Sequence, residues 1–445
     1  MTVQTTTPAR ARFTIAGALL LSAAAALRAE PPPPVPPPSR AEAPNPTGEL
    51  ALRDAVAAAL VGSPELDAFS LDVRVAEARA LQAGALPNPQ LGLEVENVGG
   101  TGRRQAFEQT ETTVFLRQLF QLGGTRAARR RAADLERELA AWQYEAARLA
   151  ALTATQKAFV ATLAAQERLA LADERVAAAS DKVSAAAERT AAGAAAPTAR
   201  RRAEVELATI RLERRRLEQE LAARRAALAA TWGATHPAFS RVRGDLEPIT
   251  PPPPLGALEA HLDDNPDVAR FATEIDRRLA MLDLARADRI PDPLVGVGSR
   301  HFAANDDTAL VFEVSLPLPV FDRNAGAILA AGRDVEQAEA KRRATETSLR
   351  AELARAHAEC AAAWARATDL AQEVLPTARA SADAVRAQYR AGSAGRLEVL
   401  EAEHAVIDVR AQRLETLVVY HDARADLDRL TGGTVDDVQV VEGAR

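Results

Sequence analysis

The sequence predicts a mainly helical chain with a β-barrel portion, built as two copies of one strand-to-helix unit. Three observations predict it. Thr125 to Ala192 contains neither Gly nor Pro, which at 1.5 Å per residue is a helix of about 100 Å. Leu310, Phe312, Val314 and Leu316 alternate with Val311, Glu313 and Ser315, the period-two pattern of a strand with one greasy face and one wetter face. Landmarks also recur at a nearly constant offset: Ser63-Pro64 with Asn265-Pro266, Pro87-Asn88-Pro89 with Pro291-Asp292-Pro293, and Ala192-Gly193 with Ala391-Gly392. A repeat of that size is a duplicated domain rather than a short solenoid module.

Composition supports long rods over a large globular core. Aromatics are 4% of the 445 residues, and apolar content is carried mainly by Ala, Leu and Val. Abundant Ala with interspersed Glu and Arg suits closely approaching helices. The net charge of −6, with both signs mixed, offers no basic surface for nucleic acid. Cys360 is the only cysteine, so an intramolecular disulfide and a Cys-clustered metal site are both excluded.

In chain order, residues 1–29 read as a secretory signal peptide. Arg10 and Arg12 precede an apolar run from Phe13 to Leu27, shorter than the roughly 20 residues that span a bilayer. Residues 30–48 form a Pro-rich tether. The first unit occupies 49–245, with short helices, a β-hairpin at about 90–120 and a helical hairpin whose tip is at 193. A Pro-rich joint follows at 246–254. The second unit, 255–433, repeats the plan with a β-hairpin at about 293–317 and a tip at 392–395, and 434–445 is a C-terminal tail. Capped prolines start the second helix of each unit, and the double-proline motifs stop it by removing a donor and crowding the preceding turn. Leu135, Leu139, Trp142, Leu149, Leu152, Phe159 and Leu163 step as a coiled-coil seam. Pro376 is expected to kink or restart the last long arm.

Six of the eleven Phe (107, 115, 120, 302, 312 and 321) lie in the two strand windows, a clustering expected of interface girdles on a membrane barrel. Four strands cannot close such a barrel, whose known minimum is about eight, and an open edge cannot face lipid. Several chains must then share one barrel, from which the helical hairpins hang.

No catalyst is expected: the chain has no Gly-rich phosphate loop, nucleophile elbow or metalloprotease helix motif. His357 and Cys360, three apart on one helix, lack a third metal ligand nearby. His404, and the loop residues His301, Asp306 and Asp307, read as packing and solvated groups rather than as cation sites.

At this point the residues resemble the TolC-like outer-membrane efflux proteins, over nearly the whole mature length. Tyr389-Arg390-Ala391-Gly392-Ser393-Ala394-Gly395-Arg396-Leu397-Glu398-Val399-Leu400 is similar to the family's helix tip. Leu316-Pro317-Leu318-Pro319-Val320-Phe321-Asp322-Arg323-Asn324-Ala325-Gly326, with Leu122-Gly123-Gly124-Thr125-Arg126, resembles the cobalt-zinc-cadmium resistance (CzcC-like) branch. The resemblance implies a homotrimer in outer-membrane lipid, its twelve strands closing one barrel and twelve helices forming a periplasmic α-barrel. It also implies docking to a periplasmic adaptor and an inner-membrane resistance–nodulation–division pump, with no cofactor, and a passive duct for divalent heavy-metal cations. Drug efflux or one-step protein secretion would use the same fold, whereas a periplasmic adaptor or coiled-coil scaffold would be a different class. Gly193, Tyr389, Gly392 and Leu397 become the docking residues at the tips, and Glu398 the candidate aperture charge, either free or latched by Arg390 or Arg396. The first tip, Ala191 to Arg200, lacks the Tyr and the Val-Leu pair.

Overall fold

A computed structural model describes residues 44–105 and 107–433; the expectations for 1–29, for most of the 30–48 tether and for the 434–445 tail lie outside the described residues. The first half runs β1 (Gly48–Leu50), α1 (Leu52–Gly62), α2 (Pro64–Ala83), β2 (Gln90–Glu96), β3 (Glu111–Leu119), α3 (Thr125–Ala191), α4 (Pro197–Ala230) and β4 (Phe239–Val242). The second runs α5 (Leu255–Glu259), α6 (Pro266–Ala287), β5 (Leu294–Phe302), β6 (Asp307–Ser315), α7 (Ala325–Asp369), a π-helical turn (Leu370–Val374), α8 (Leu375–Arg390) and α9 (Arg396–Leu430).

Caps define where the middle-length helices begin. Ser63 Oγ accepts the Leu66 N–H at 3.4 Å and Asn265 Oδ1 accepts the Asp267 N–H at 2.8 Å, each with Pro in the first turn. Asn265 does more than cap. Its amide donates to Arg429 O at 3.1 Å and Leu430 O at 3.0 Å, so a fully buried polar group ties the start of α6 to the end of α9 with its donors satisfied.

The 67-residue α3 packs along α2, α4, α6 and α9. Its buried positions are largely small: Ala132, Ala140, Ala147, Thr153, Ala164 and Ala172. Of the expected leucine-rich seam only Phe159 and Leu163 are fully buried, while Leu135, Leu139 and Leu149 are half-buried. Ala lets α2 and α6 approach the α3 backbone closely, and the larger side chains are displaced to the flanks of that contact. Thr153, Thr155 and Thr162 bond back to the carbonyls four residues earlier at 2.7–2.9 Å, which makes buried hydroxyls tolerable inside the helix.

Pro376 is accommodated without a break. Its missing N–H and its ring would disrupt a regular α-helix, and the chain widens into the π-helical turn just before it, with the Leu375 N–H reaching Leu370 O.

Two short strands escaped the sequence reading. β1 pairs in parallel with β4, which brings Gly48 opposite Phe239 and Leu50 opposite Val242. Over them closes the main core, centred on Leu50, Trp232 and Phe239 with Phe159 and Leu417. A second core joins α7 to α9 through Leu353, Cys360, Tyr420 and Leu427. The Tyr420 hydroxyl donates to Thr250 O at 2.8 Å and accepts the Thr250 N–H at 3.1 Å, fastening the 246–254 segment against α9.

Candidate channel wall and helix tips

The four longer strands form one antiparallel sheet in the order β2-β3-β5-β6, with β2 and β6 as unpaired edges. The register places Leu93 opposite Val114, Phe115 opposite Gly298, and Val297 opposite Phe312. Because side chains alternate faces, one face collects Leu91, Leu93, Val114, Leu116, Val295, Val297, Leu310, Phe312 and Val314. All of these are exposed, Leu91 at 63% and Phe312 at 77%. No helix covers them.

The other face collects Glu94, Glu96, Glu111, Thr113, Arg117, Arg300 and Glu313. It is here that the sheet is internally bonded. Arg117 Nε donates to Glu313 Oε2 at 2.7 Å, and its guanidinium lies 4.4 Å from the Phe115 ring centre. Arg300 donates to Thr113 Oγ1 at 2.9 Å and to Glu111 at 3.0 Å, with Glu96 also at 3.0 Å. Glycines make the space. A Cβ on Gly298 would lie 2.7 Å from Phe115 Cδ1 and from Val114 O, and one on Gly92 would lie 2.6 Å from an Arg117 terminal nitrogen. A sheet that gathers its ion pairs on one face and exposes uncovered apolar side chains on the other is inverted relative to one in a water-soluble protein, the pattern expected where lipid lies outside and water inside. Phe115, counted at sequence level toward an aromatic girdle, is instead 4% exposed on the polar face, and Phe302 shares that face by register. Phe107, Phe120, Phe312 and Phe321 are the exposed ones.

At the far end of the long helices the chain reverses twice. Gly193 (φ +72°) and Gly392 (φ +76°) take the left-handed conformation. At each, the next residue's N–H reaches back five positions, Ala194 to Arg189 O at 2.8 Å and Ser393 to Gln388 O at 2.9 Å. These are paired Schellman-type ends, followed by Pro197 in the first turn of α4 and Gly395 before α9. Tyr389 and Glu398 are exposed, Leu397 is half-buried, and Leu400 beneath them is buried. Glu398 sits in the first turn of α9, where the helix dipole favours an acid. No ion-pair partner for it is found among the described residues. Arg396, an expected latch for Glu398, points instead to Glu188 of α3 at 3.8 Å. Further from the tips, Arg175–Asp408 and Glu174–Arg410, both 2.5 Å, also join α3 to α9.

The model of the outer membrane efflux protein family matches residues 55–234 and 257–433. The cobalt-zinc-cadmium resistance protein CzcC of Cupriavidus metallidurans is 30% identical over 385 residues, covering 86% of this chain and 90% of that one. The chain belongs to the outer membrane efflux protein family. The nickel and cobalt resistance protein CnrC of the same organism is 28% identical over 279 residues, 63% of this chain and 66% of the other. Among solved structures, the CmeC outer membrane channel of Campylobacter jejuni superposes with a TM-score of 0.72 at 14% identity, covering 88% of this chain and 87% of that one; a likeness so remote in sequence attests the fold. Membership in this TolC-like family places the protein at the outer membrane with its helical portion in the periplasm.

The His357 ring nitrogen Nε2 lies 2.9 Å from Pro253 O. Cys360 is fully buried, and burial pushes its thiol up to about 11. His404 is half-buried, and His301 lies 3.8 Å from Asp306. Among the described residues no three His, Cys, Asp or Glu side chains converge as metal ligands. What sequence reading missed is the pairing of Arg117 and Arg300 with strand carboxylates. The sequence marked the charged face but not its pairing: Glu94, Glu96, Glu111, Arg117 and Glu313 all share the parity opposite to the apolar positions.

Proposed function

We propose that this chain is the outer-membrane exit duct of a tripartite efflux system and that its cargo is a divalent heavy-metal cation. Three copies share one twelve-stranded barrel, each contributing β2-β3-β5-β6, and twelve helices continue it as a periplasmic tunnel. The single observation that carries the duct reading is the inverted sheet: apolar side chains exposed on one face, ion pairs on the other, and an unpaired strand at each edge. Pairing the β6 edge of one copy with the β2 edge of the next satisfies both edges, as the hydrocarbon core demands.

The metal cargo is supported by the 30% identity to CzcC over most of both chains. The division into units at 49–245 and 255–433 is supported by the family's match in two blocks. The tips, with Gly193, Tyr389, Gly392 and Leu397, dock a periplasmic adaptor that couples the duct to an inner-membrane resistance–nodulation–division pump, which supplies the energy. Glu398, exposed and without an ion-pair partner among the described residues, is the aperture charge. In a three-fold ring it is triplicated and draws cations toward the opening. The test is metal tolerance of a deletion strain across zinc, cobalt, cadmium, nickel and copper. Lost tolerance to one or more, restored by the intact gene, is expected; unchanged tolerance to all five refutes the cargo.

A further inference from the structure

Of the four loops that join the sheet to the helices, 84–89, 120–124, 288–293 and 316–324, the middle two are tied to each other and the last is tied to the end of α6. The Leu122 N–H donates to Asp292 Oδ1 at 2.7 Å, and Asn324 Nδ2 donates to Ala285 O at 2.7 Å. The apolar face of the sheet does not end where the strands end. Phe120, Leu122, Ile290, Leu318, Val320 and Phe321 carry it into these loops, all exposed, with Phe321 entirely so. Two arginines stand in the same loops, Arg289 beside Ile290 and Arg323 two residues after Phe321. Both are exposed, and neither has a carboxylate partner among the described residues. Counting the first turns of α3 with the loops, the junction holds six arginines (126, 129, 130, 131, 289 and 323) against three aspartates (288, 292 and 322), with Arg130 offset by Asp134 at 3.7 Å. Two of those aspartates are engaged locally, Asp292 as above and Asp322 by the Asn324 N–H at 2.9 Å.

An exposed apolar collar continuous with the lipid-facing wall, followed directly by unpaired guanidinium groups, matches the boundary between acyl chains and phosphate headgroups. We propose that this collar binds anionic phospholipid of the inner leaflet, with Arg289 and Arg323 holding the headgroup phosphate and Phe321 and Ile290 lying against the acyl chains. The proposal rests on the placement of the sheet in the outer membrane but not on the cargo. Bound anionic lipid would fix the depth of the barrel and steady the strand-to-helix turn.

The test compares the wild-type oligomer with an Arg289→Gln/Arg323→Gln variant in nanodiscs of phosphatidylglycerol or of phosphatidylcholine. Thermal dissociation of the oligomer and co-purified lipid are the readouts. Wild type is expected to dissociate at a higher temperature in phosphatidylglycerol and to retain that lipid selectively. The double Gln variant should lose both differences, and an Arg289→Lys/Arg323→Lys variant should keep part of them. Equal behaviour of wild type in the two lipids overturns the proposal. So does a Gln variant that fails to assemble even in detergent, since that outcome assigns the arginines to contacts between copies of the chain.

Discussion

At the scale of single residues, two titratable groups of α9 carry pH dependences of opposite sign. His421 lies almost wholly buried with Nε2 2.9 Å from Leu246 O, and burial holds its pKa below the usual imidazole value. A depressed folded-state pKa contributes stability above the unfolded value, about 6.5, and loses it as pH falls through the folded value. His421→Gln is therefore expected to flatten the loss of thermal stability on acidification from about pH 7 to 5, read by circular dichroism. Its neighbour Asp422 has the opposite sign, because burial raises the carboxyl pKa and leaves Oδ1 without a partner, with Lys157 instead bonded to Asp426 at 2.6 Å. A raised acid contributes stability below its unfolded pKa and loses it as pH rises through the folded one. Asp422→Asn should then raise the melting temperature at neutral pH and change it little near pH 4; equal effects at both pH values would contradict this. Cys360, buried with its thiol raised to about 11, should resist a charged maleimide in the folded protein and react within minutes once denatured.

At the scale of elements, the sheet and its ion pairs carry the next two expectations. Gly298→Ala would press a methyl group against Phe115 and the Val114 carbonyl, an overpacking cost of about 1–3 kcal/mol, and should lower the yield of heat-modifiable oligomer in the outer membrane. On the polar face, Glu94, Glu96, Glu111 and Glu313 outnumber Arg117 and Arg300, and Glu94 is exposed with no ion-pair partner among the described residues. Glu94→Gln should lower the preference of single channels for potassium over chloride, measured as reversal potential in a salt gradient. An unchanged potential would show that this face does not set selectivity. The elements were legible in unequal measure. Long helices announced themselves because 67 residues without Gly or Pro have no other regular solution, and the apolar stripe of β6 because its alternation is strict. β1 and β4 were not legible, since three and four residues hold too few alternations to count and their pairing joins Gly48 to Phe239 across the sequence. The packing seam of α3 was misread toward leucine because sequence rewards bulk, whereas close helix approach rewards Ala132, Ala140 and Ala147. The ion pairs of Arg117 and Arg300 needed the register of strands distant in sequence, which local pattern does not supply.

At the scale of the whole molecule, the four-stranded sheet leaves open edges at β2 and β6, and the proposed duct requires neighbouring copies to close them. The edges lie at opposite sides of one chain's sheet, three strand spacings or about 14 Å apart, beyond a short thiol cross-linker within a single copy. Leu93→Cys on β2 and Phe312→Cys on β6, linked by a bismaleimide of about 8 Å reach, therefore report only contacts between chains; the buried Cys360 stays silent. Cross-linked trimers on a denaturing gel, absent from either single variant, are the expected result. A product that stays monomeric under the same treatment, from protein natively folded in the outer membrane, would contradict the shared barrel.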